Sequence, residues 1–332
     1  MSETARFLVI GSNSFSGATF VDYALAKGHE VIGTSRSEEA HQAFLPYRWH
    51  GESDRFHFHQ LDLNRDLDAI AALMERERPA YVVNFAAQSM VAESWANPDH
   101  WFMTNVVSTV RLHEKMRRMP FITRYVHVST PEVFGSTAGH VAEDTVFNPS
   151  TPYAVSRAAA EMSLRTYFSA YGFPVVYTRA ANVYGPGQQL YRIIPRTMLC
   201  IRLGQKLQLH GGGASERSFI HGKDVADATY RIALEGRNGD AYHISTDRII
   251  SIRALVEMIC GALGAKFDEV VEVVGERLGK DAAYRLDSTK LRRELGWSDQ
   301  ISLEQGIAET ASWLDKHLDD LARLPQSYLH KE

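Results

Sequence analysis

Six short, largely apolar runs, separated by longer segments of helical pattern, constrain the fold of this chain more than any other feature. They cover residues 7–10, 31–34, 56–61, 81–85, 125–129 and 175–178. Short apolar runs of this kind are typical of parallel strands that are buried on both faces of a sheet. Strands that alternate with helices along the chain form a doubly wound parallel sheet. The sequence therefore predicts an α/β fold.

A loop containing glycine follows the first run and leads into a helical segment that ends near Gly28. Strand, loop and helix in this order are the context of a dinucleotide-binding loop, where amide groups at a helix start face a pyrophosphate. Serine stands at the middle position of the loop, where glycine is usual, so the glycine pattern alone is weak evidence. The prediction depends on the position of the loop as the first βα turn. The fold is predicted to be of the Rossmann type. We expect cofactor contacts from Gly11, Ser12, Asn13, Ser14, Phe15, Ser16 and Gly17.

The tips of the next three runs predict the rest of the cofactor site. The second run ends in Ser35-Arg36-Ser37, with no Asp or Glu at its tip. An acidic residue there binds the ribose 2′-hydroxyl of NAD, whereas an arginine accommodates the 2′-phosphate of NADP. Arg36 therefore favours NADP, and NAD is the alternative. Further contacts are expected from Asp62 and Leu63 at the adenine and from Ala86, Ala87 and Gln88 after the fourth run.

A polar constellation follows the fifth run. Thr130 and Glu132 come directly after it, and about twenty residues later Tyr153 and Arg157 open a long helical pattern through Ala170. Tyrosine and arginine four residues apart share one helix face. A strand end that faces such a helix start is where open α/β sheets bind ligands. We expect these four residues to converge on one crevice and to be catalytic.

The pattern changes after Arg179, where glycine, proline and glutamine cluster at 185–189. Short strands and helices are mixed in the remainder, which predicts a smaller substrate-binding lobe. We expect a cofactor-binding domain at 1–180, with returns from the C-terminal part, and the lobe at 181–332. A helix is predicted over 301–314, with Ser302 as its N-cap.

Bulk properties exclude several classes of function. The formal net charge is −4, which gives no electrostatic case for nucleic acid or an acidic membrane surface. Cys200 and Cys260 are too few for a disulfide framework, which favours a cytoplasmic location, and no apolar run is long enough to span a membrane. His57 and His59 have no third ligand nearby, so we expect structural histidines and no metal.

Several segments resemble the extended short-chain dehydrogenases/reductases, and among them the nucleotide-sugar 4,6-dehydratases. Residues 84–89 resemble the strand-four motif of that family, residues 129–136 its catalytic segment, and residues 179–186 the segment that contacts nicotinamide and substrate phosphate. The resemblance implies a nucleotide-diphosphate sugar as substrate and a homodimer built through the helices that begin near Pro98 and Tyr153. It implies substrate contacts from Ser89, Glu132, Asn182, Arg217, Arg277 and Asp281.

The resemblance also implies a reaction. Tyr153 as phenolate takes the C4 hydroxyl proton while the C4 hydride passes to the nicotinamide, and Thr130 hydrogen-bonds the same oxygen. Glu132 then removes the C5 proton, water leaves from C6, and the hydride returns to C6. The product is a 4-keto-6-deoxy sugar nucleotide. The phenol must titrate well below its free pKa of about 10 to serve as this base, which requires a nearby cation.

Two residues depart from the family pattern. Arg157 stands where the family has lysine; a guanidinium can lower the pKa of Tyr153 and bind the ribose hydroxyls of the cofactor, but it cannot relay a proton. Pro131 stands where dTDP-glucose dehydratases carry an aspartate thought to protonate the departing hydroxyl. Without that aspartate, Glu132 can pass the C5 proton to the C6 oxygen on the same face.

Two alternatives stay open at this point. A nucleotide-sugar 4-epimerase of the same fold returns the hydride to C4 and has no need of a base such as Glu132. A cofactor-binding protein with little turnover would account for Arg157 and Ser14. The base and the hexose are also open, although residues 188–192 and 206–210 are expected to line the nucleotide.

Overall fold

The structure is a computed structural model that describes residues 4–137, 139–275 and 285–332. Its strands are β1 (Arg6–Ile10), β2 (Glu30–Ser35), β3 (Phe56–Gln60), β4 (Tyr81–Asn84), β5 (Arg124–Val128), β6 (His140–Val141), β7 (Val175–Ala180), β8 (Asn182–Tyr184), β9 (Leu207–His210), β10 (Glu216–Arg217), β11 (Phe219–His221), β12 (Ala241–Ile244), β13 (Ile250–Ser251), β14 (Val271–Val274) and β15 (Arg285–Leu286).

Its helices are α1 (Phe15–Ala26), α2 (Leu67–Glu77), α3 (Pro98–Phe102), α4 (Thr109–Met116), α5 (Pro152–Tyr171), α6 (Ile193–Leu203), α7 (Gly222–Glu235), α8 (Ile252–Ala262), α9 (Phe267–Val270), α10 (Thr289–Leu295), α11 (Leu303–Lys316) and α12 (Leu318–Leu321). A π-helical segment, Met103–Ser108, joins α3 to α4. A 3₁₀ turn, Pro131–Phe134, follows β5.

Seven parallel strands form the central sheet, in the order β12-β7-β5-β4-β1-β2-β3. This order confirms the predicted Rossmann-type fold, and the six predicted strands are all present with ends shifted by one or two residues. The direction of strand succession reverses between β1 and β4. Ligands of open α/β sheets bind at such a point, outside the carboxyl ends of the strands.

The seventh strand, β12, comes from the second half of the chain and pairs with β7 at the edge of the sheet. Residues on both sides of position 180 therefore build the main sheet, and the domain boundary at 180 stays a prediction. Smaller strand pairs lie outside it, among them β8 with β11 and β9 with β14.

The core explains why the strands read as continuous apolar runs. On β1, Phe7 and Val9 pack on one face of the sheet, in a cluster with residues of α1 and α7, whereas Leu8 and Ile10 pack on the other, with α2 and α4. Because both faces are covered, the four strand positions from Phe7 to Ile10 are all buried. A third cluster, formed by α6, α8 and α11, makes the core of the C-terminal lobe.

Capping fixes the ends of the helices that matter most. The Oγ1 of Thr151 accepts a hydrogen bond from the amide of Ala154 at the start of α5, which ends at Gly172 with φ of 64°. The hydroxyl of Ser302 caps α11 in the same way, as the sequence predicted. The cap on α5 places Tyr153 in the first turn of that helix. Across the described residues, no helix has the length and apolarity needed to cross a bilayer.

Candidate functional site

The loop between β1 and α1 approaches the tip of β4 closely. Gly11 has a φ of 86°, and a Cβ on it would lie 2.7 Å from the amide nitrogen of Ala86. Only glycine fits this position, because both the left-handed backbone and the neighbouring strand exclude a side chain. The amides of Phe15 and Ser16 lie in the first turn of α1, where the helix offers no carbonyl partner. They are suited to an anionic group such as a pyrophosphate.

Ser14, the departure from the usual glycine, has a structural role in this loop. Its φ of −73° is open to any residue. Its hydroxyl donates to the carbonyl oxygen of Gly11 at 2.7 Å and accepts from the amide of Gly17 at 3.1 Å. The side chain thus closes the loop and caps α1, so the serine does not argue against dinucleotide binding.

The loop after β2 is tied to this first loop. Asn13 donates its side-chain amide to the carbonyl oxygens of Ser37 and Glu38, and its backbone amide to the hydroxyl of Ser35. Arg36 is at the tip of β2, as predicted, and one of its nitrogens donates to the carbonyl oxygens of Lys331 and Glu332. Residues near the end of the numbered sequence therefore reach the cofactor crevice, which the sequence did not predict.

The predicted adenine contacts lie after β3. The carboxylate of Asp62 accepts from the amide of Asn64 at 2.8 Å. The side chain of Leu63 is buried in the core on the α2 face of the sheet, so it holds the loop in place. A cavity of about 260 Å³ lies next to this loop and is lined by Asn64, Arg65, Asp99, His100, Met103 and Glu332.

The tip of β4 is fixed by a residue that the sequence analysis missed. Asn105, in the π-helical segment, accepts from the amide of Gln88 at 2.9 Å and donates to its carbonyl oxygen at 3.0 Å. The same side-chain amide donates to the hydroxyl of Ser156 on α5. Ala86 and Ala87 precede Gln88 in this loop, as predicted. Asn105 is completely buried. The sequence signal that could have identified it is an asparagine inside an otherwise apolar helical pattern.

Thr130, Glu132, Tyr153 and Arg157 do come together. The hydroxyl of Thr130 lowers the pKa of the Tyr153 phenol, and the charges of Glu132 and Arg157 both act on that phenol. Thr130 also caps the 3₁₀ turn that carries Glu132. Pro131 occupies the first position of this turn, where proline sets the backbone angle that the turn requires.

The electrostatics of Tyr153 differ from the expectation. Burial raises the pKa of the phenol above its ordinary value, and the carboxylate of Glu132 raises it further. Arg157, the hydrogen bond from Thr130 and Arg192 each lower the pKa, but by less. The expected depression is therefore absent from the protein alone. The cation next to the phenol is present, as predicted.

Arg192 is a second cation at this phenol. It lies just before α6, in the segment 188–192 that was expected to line the nucleotide, and its charge lowers the pKa of Tyr153. Its position facing the crevice could not be read from the sequence, because the segment has no regular pattern.

Arg157 is held between the helix and the strand. Its Nη2 donates to the carbonyl oxygen of Val128, the last residue of β5. The backbone amide of Tyr153, one turn earlier, donates to the buried hydroxyl of Ser94 at 3.2 Å. The start of α5 is thus attached on two sides, which fixes the phenol relative to the strand end.

A buried ion pair lies behind the constellation. Glu161, two turns after Tyr153 on α5, pairs with Arg179 of β7, and both side chains are fully buried. The carboxylate of Glu161 also accepts from the hydroxyl of Ser129 at 2.8 Å, and Arg179 donates to Nε2 of His243 at 3.0 Å. Burial and the charge of Arg179 lower the pKa of His243 to about 3, so its ring stays neutral and can accept this bond.

The predicted substrate residues are spread over the crevice rim and the lobe. Ser89 is exposed after β4, and the backbone of Asn182 pairs β8 with the neighbouring strand through Ser218. Arg217 is half-buried in β10. Arg277 and Asp281 lie outside the described residues.

Comparisons with known proteins agree with this geometry. The family model described as GDP-mannose 4,6 dehydratase matches residues 8–310. The chain is 31% identical to a dTDP-glucose 4,6-dehydratase of Xanthomonas campestris pv. campestris, over 93% of either chain. It is 33% identical to a UDP-glucose 4-epimerase of Mycolicibacterium smegmatis, over 93% of this chain and 98% of the relative.

A solved structure shares the fold closely. The dTDP-glucose 4,6-dehydratase of Streptomyces venezuelae, solved with NAD and TYD bound, superposes with a TM-score of 0.88 at 32% identity. The match covers 95% of this chain and 98% of that one.

Arg157 is expected to control the titration of Tyr153. Replacing Arg157 with alanine removes the nearest cation, so the pKa of Tyr153 should rise, whereas Arg157→Lys keeps the charge and should leave the pKa near that of the unaltered protein. Tyrosine labelled at Cζ with ¹³C allows the titration to be followed by NMR. Arg118→Ala, at an exposed arginine distant from the crevice, is the control; an unchanged titration in Arg157→Ala would show that Arg157 is only a helix-face charge.

Proposed function

The chain belongs to the GDP-mannose 4,6-dehydratase family, and on that premise we propose that it converts a nucleotide-diphosphate hexose into a 4-keto-6-deoxy sugar nucleotide. The observation that carries the proposal is the position of Glu132. It lies two residues after Thr130 in a turn capped by that threonine, and its charge reaches the phenol of Tyr153. A carboxylate next to the C4 base is what elimination across C5 and C6 requires.

The crevice fits a pyridine dinucleotide. The close approach of Gly11 to the tip of β4 and the amides of the first turn of α1 form a site for the pyrophosphate. Gly11, Phe15 and Ser16 would hold the pyrophosphate of the dinucleotide, whose nicotinamide would supply a hydride acceptor for C4 and a hydride donor for C6. The structural relatives solved with NAD support this assignment.

Tyr153 and Thr130 act at C4 in the proposed reaction. Tyr153 takes the proton of the C4 hydroxyl, and the hydroxyl of Thr130, which lowers the pKa of the phenol, hydrogen-bonds the same C4 oxygen. Arg157 and Arg192 stabilise the phenolate, because a positive charge near an acid favours its ionised form. Arg157 keeps its own proton throughout, since guanidinium does not deprotonate in proteins.

Glu132 acts at C5 and C6. The C4 ketone acidifies the C5 proton, which Glu132 removes and delivers to the departing C6 hydroxyl as water. No aspartate is needed for this delivery, which accommodates Pro131. C5 then takes up a proton from solvent, and Tyr153 releases the C4 hydroxyl proton, so the reaction nets to the loss of one water.

A 4-epimerase is the second candidate, because a UDP-glucose 4-epimerase is among the relatives that match at 33% identity over nearly the whole chain. An epimerase returns the hydride to C4 and leaves C5 and C6 unchanged. Glu132 has no role in that chemistry, so its replacement separates the two functions.

We propose that Arg36 makes NADP the preferred cofactor. It lies at the tip of β2, and no carboxylate precedes it at Ser35 or follows at Ser37. Although the Streptomyces venezuelae relative was solved with NAD, an arginine at this tip accommodates the 2′-phosphate that NAD lacks.

A homodimer is proposed through α3, the π-helical segment and α5. These helices pack against each other, and their outer faces carry apolar side chains that are exposed in the single chain. An apolar face of this kind is typical of an interface with another protein. The exposed side chains are Phe102, Met103, Val107, Val155 and Met162.

Glu132→Gln should separate dehydration from oxidation. The amide keeps the size of the side chain but removes the base, and turnover should fall by roughly 10²–10⁴-fold. Reduced cofactor should accumulate with a 4-keto sugar that keeps its C6 hydroxyl. Mass spectrometry of reactions with GDP-mannose, dTDP-glucose, UDP-GlcNAc and CDP-glucose, run in heavy water, identifies the substrate and the label at C5.

The control is Glu272→Gln, an exposed carboxylate on β14. If Glu132→Gln forms 6-deoxy product at the unaltered rate, the role of Glu132 is refuted. If no sugar loses water with the unaltered protein and a C4 epimer forms, the epimerase takes the place of the dehydratase.

Arg36→Asp should reverse the cofactor preference. The carboxylate repels a 2′-phosphate and can accept from a 2′-hydroxyl, so the ratio of the dissociation constants for NAD and NADP should move toward NAD. Calorimetric titration of both dinucleotides measures this ratio. Arg293→Asp, at an exposed arginine on α10, should leave it unchanged. Tighter binding of NAD than of NADP by the unaltered protein would contradict the proposal.

Met162→Lys should weaken the dimer. The ammonium would have to be buried at an apolar interface, which costs free energy unless it is paired. Sedimentation equilibrium should show a higher dissociation constant for the dimer. Val273→Lys places the same change on an exposed apolar residue of β14 and should have no effect. Equal association of both variants would place any interface elsewhere.

A further inference from the structure

Residues 326–332, which we call the tail, lie in the dinucleotide crevice. They follow α12 and begin beside α6, where Arg196 donates to the carbonyl and side-chain oxygens of Gln326. From there the tail reaches the tip of β2, a path that six extended residues can span, since they cover roughly 20 Å. None of its residues is fully buried, and none belongs to a hydrophobic core.

The tail occupies hydrogen-bond donors that we expect to bind the cofactor. The carbonyl oxygen of Lys331 accepts from the side-chain amide of Gln88 at 2.6 Å. Carbonyl oxygens of Lys331 and Glu332 both accept from Arg36. Gln88 and Arg36 are at the tips of β4 and β2, on opposite sides of the Gly11 loop, so the tail bridges these two strand tips across the loop.

Aromatic contacts anchor the middle of the tail. The ring of His330 stacks on Trp101 and on His100, with ring centroids 5.2 Å and 5.1 Å away, and the two imidazoles share a hydrogen bond of 2.8 Å. Tyr328 packs edge-on against Tyr191 at 5.6 Å. Tyr191 neighbours Arg192, the cation at the catalytic phenol, so the tail also covers the approach to the sugar site.

The side chains of the last two residues add polar contacts. The ammonium of Lys331 donates to the hydroxyl of Ser37 at 3.0 Å, beside Arg36. Glu332 reaches the cavity next to the adenine loop and lies 3.9 Å from His100. Backbone carbonyls and a carboxylate thus face cationic and amide donors, which are the same donors that ribose hydroxyls and phosphate oxygens would use.

We propose that the tail is an intrachain ligand of the dinucleotide crevice and that the cofactor must displace it to bind. The inference rests on the proposed function, because it requires that the crevice bind a pyridine dinucleotide. Two ligands cannot use Arg36 and Gln88 at once, so the apparent affinity for the cofactor is reduced by the fraction of molecules in which the tail is bound.

The test compares dinucleotide binding with and without the tail. A stop after residue 325 removes it and leaves every hydrophobic core cluster intact. If the tail is bound in about nine of ten molecules, its removal should tighten the binding of NAD and of NADP by about tenfold. The double variant Tyr328→Ala/His330→Ala, in the chain that keeps residues 326–332, should also tighten the binding of both dinucleotides.

A control variant and a competition experiment with a synthetic peptide complete the test. Leu329 is 62% exposed, so Leu329→Ala should bind both dinucleotides as the unaltered protein does. A synthetic peptide with the sequence of residues 326–332, added to the shortened protein, should raise the apparent dissociation constant in proportion to its concentration. The tail competes with NAD and with NADP alike. It therefore changes both dissociation constants by the same factor and leaves unchanged the ratio of the two, which is the quantity measured for Arg36→Asp.

The outcomes separate this inference from the proposed function. Unchanged or weaker dinucleotide binding by the shortened protein overturns the inference, whatever the turnover. Tighter binding without dehydration of any sugar nucleotide supports the inference and refutes the dehydratase. If neither protein binds a dinucleotide, both the cofactor assignment and the inference are refuted.

Discussion

The buried ion pair between Glu161 and Arg179 holds the candidate site together. It joins α5, which carries the phenol, to β7, and through Ser129 it also joins β5, whose end carries the carboxylate turn. Loss of one partner would leave an uncompensated buried charge, which typically costs about 3–5 kcal/mol. The pair therefore fixes a strand end against a helix start. The convergence of groups from distant parts of the sequence depends on it, since Tyr153 and Thr130 have no covalent constraint on their separation.

Sequence patterns predicted the fold because the sheet is parallel and covered on both faces. The central strands of such a sheet are largely apolar, as Phe7 to Ile10 show, and the tip residues of neighbouring strands meet at one edge. The four catalytic candidates followed from that rule. The rest depended on contacts without a local pattern: Asn105 acts from a π-helical segment, Arg192 from an irregular loop, and the tail from a stretch more than 290 residues away from Arg36 in sequence. The periodicity of apolar residues along the sequence does not indicate contacts of this kind.

Two departures from the family pattern are accommodated by local structure. Ser14 replaces a glycine whose freedom is not needed, since its φ is −73°, and the hydroxyl caps α1. Pro131 removes a side-chain donor, yet it stabilises the turn that presents Glu132. Ser14 thus supplies a capping hydrogen bond, and Pro131 supplies a backbone constraint, in place of the residue that the family usually has. Neither removes a group that the remaining chemistry requires, which is why the low-turnover alternative gains no support from them.

Tyr153 and Glu132 affect each other through charge, and this coupling gives the two bases an order of action in the proposed reaction. While Glu132 is ionised it raises the pKa of the phenol, which makes the phenolate a stronger base toward the C4 hydroxyl. Glu132 is neutral only between taking the C5 proton and passing it to the C6 oxygen, and during that interval the pKa of Tyr153 is lower. The proton stored on Tyr153 is then released more easily to solvent, assisted by the charges of Arg157 and Arg192. A single carboxylate thus strengthens the phenolate before oxidation and favours loss of its proton while the elimination proceeds.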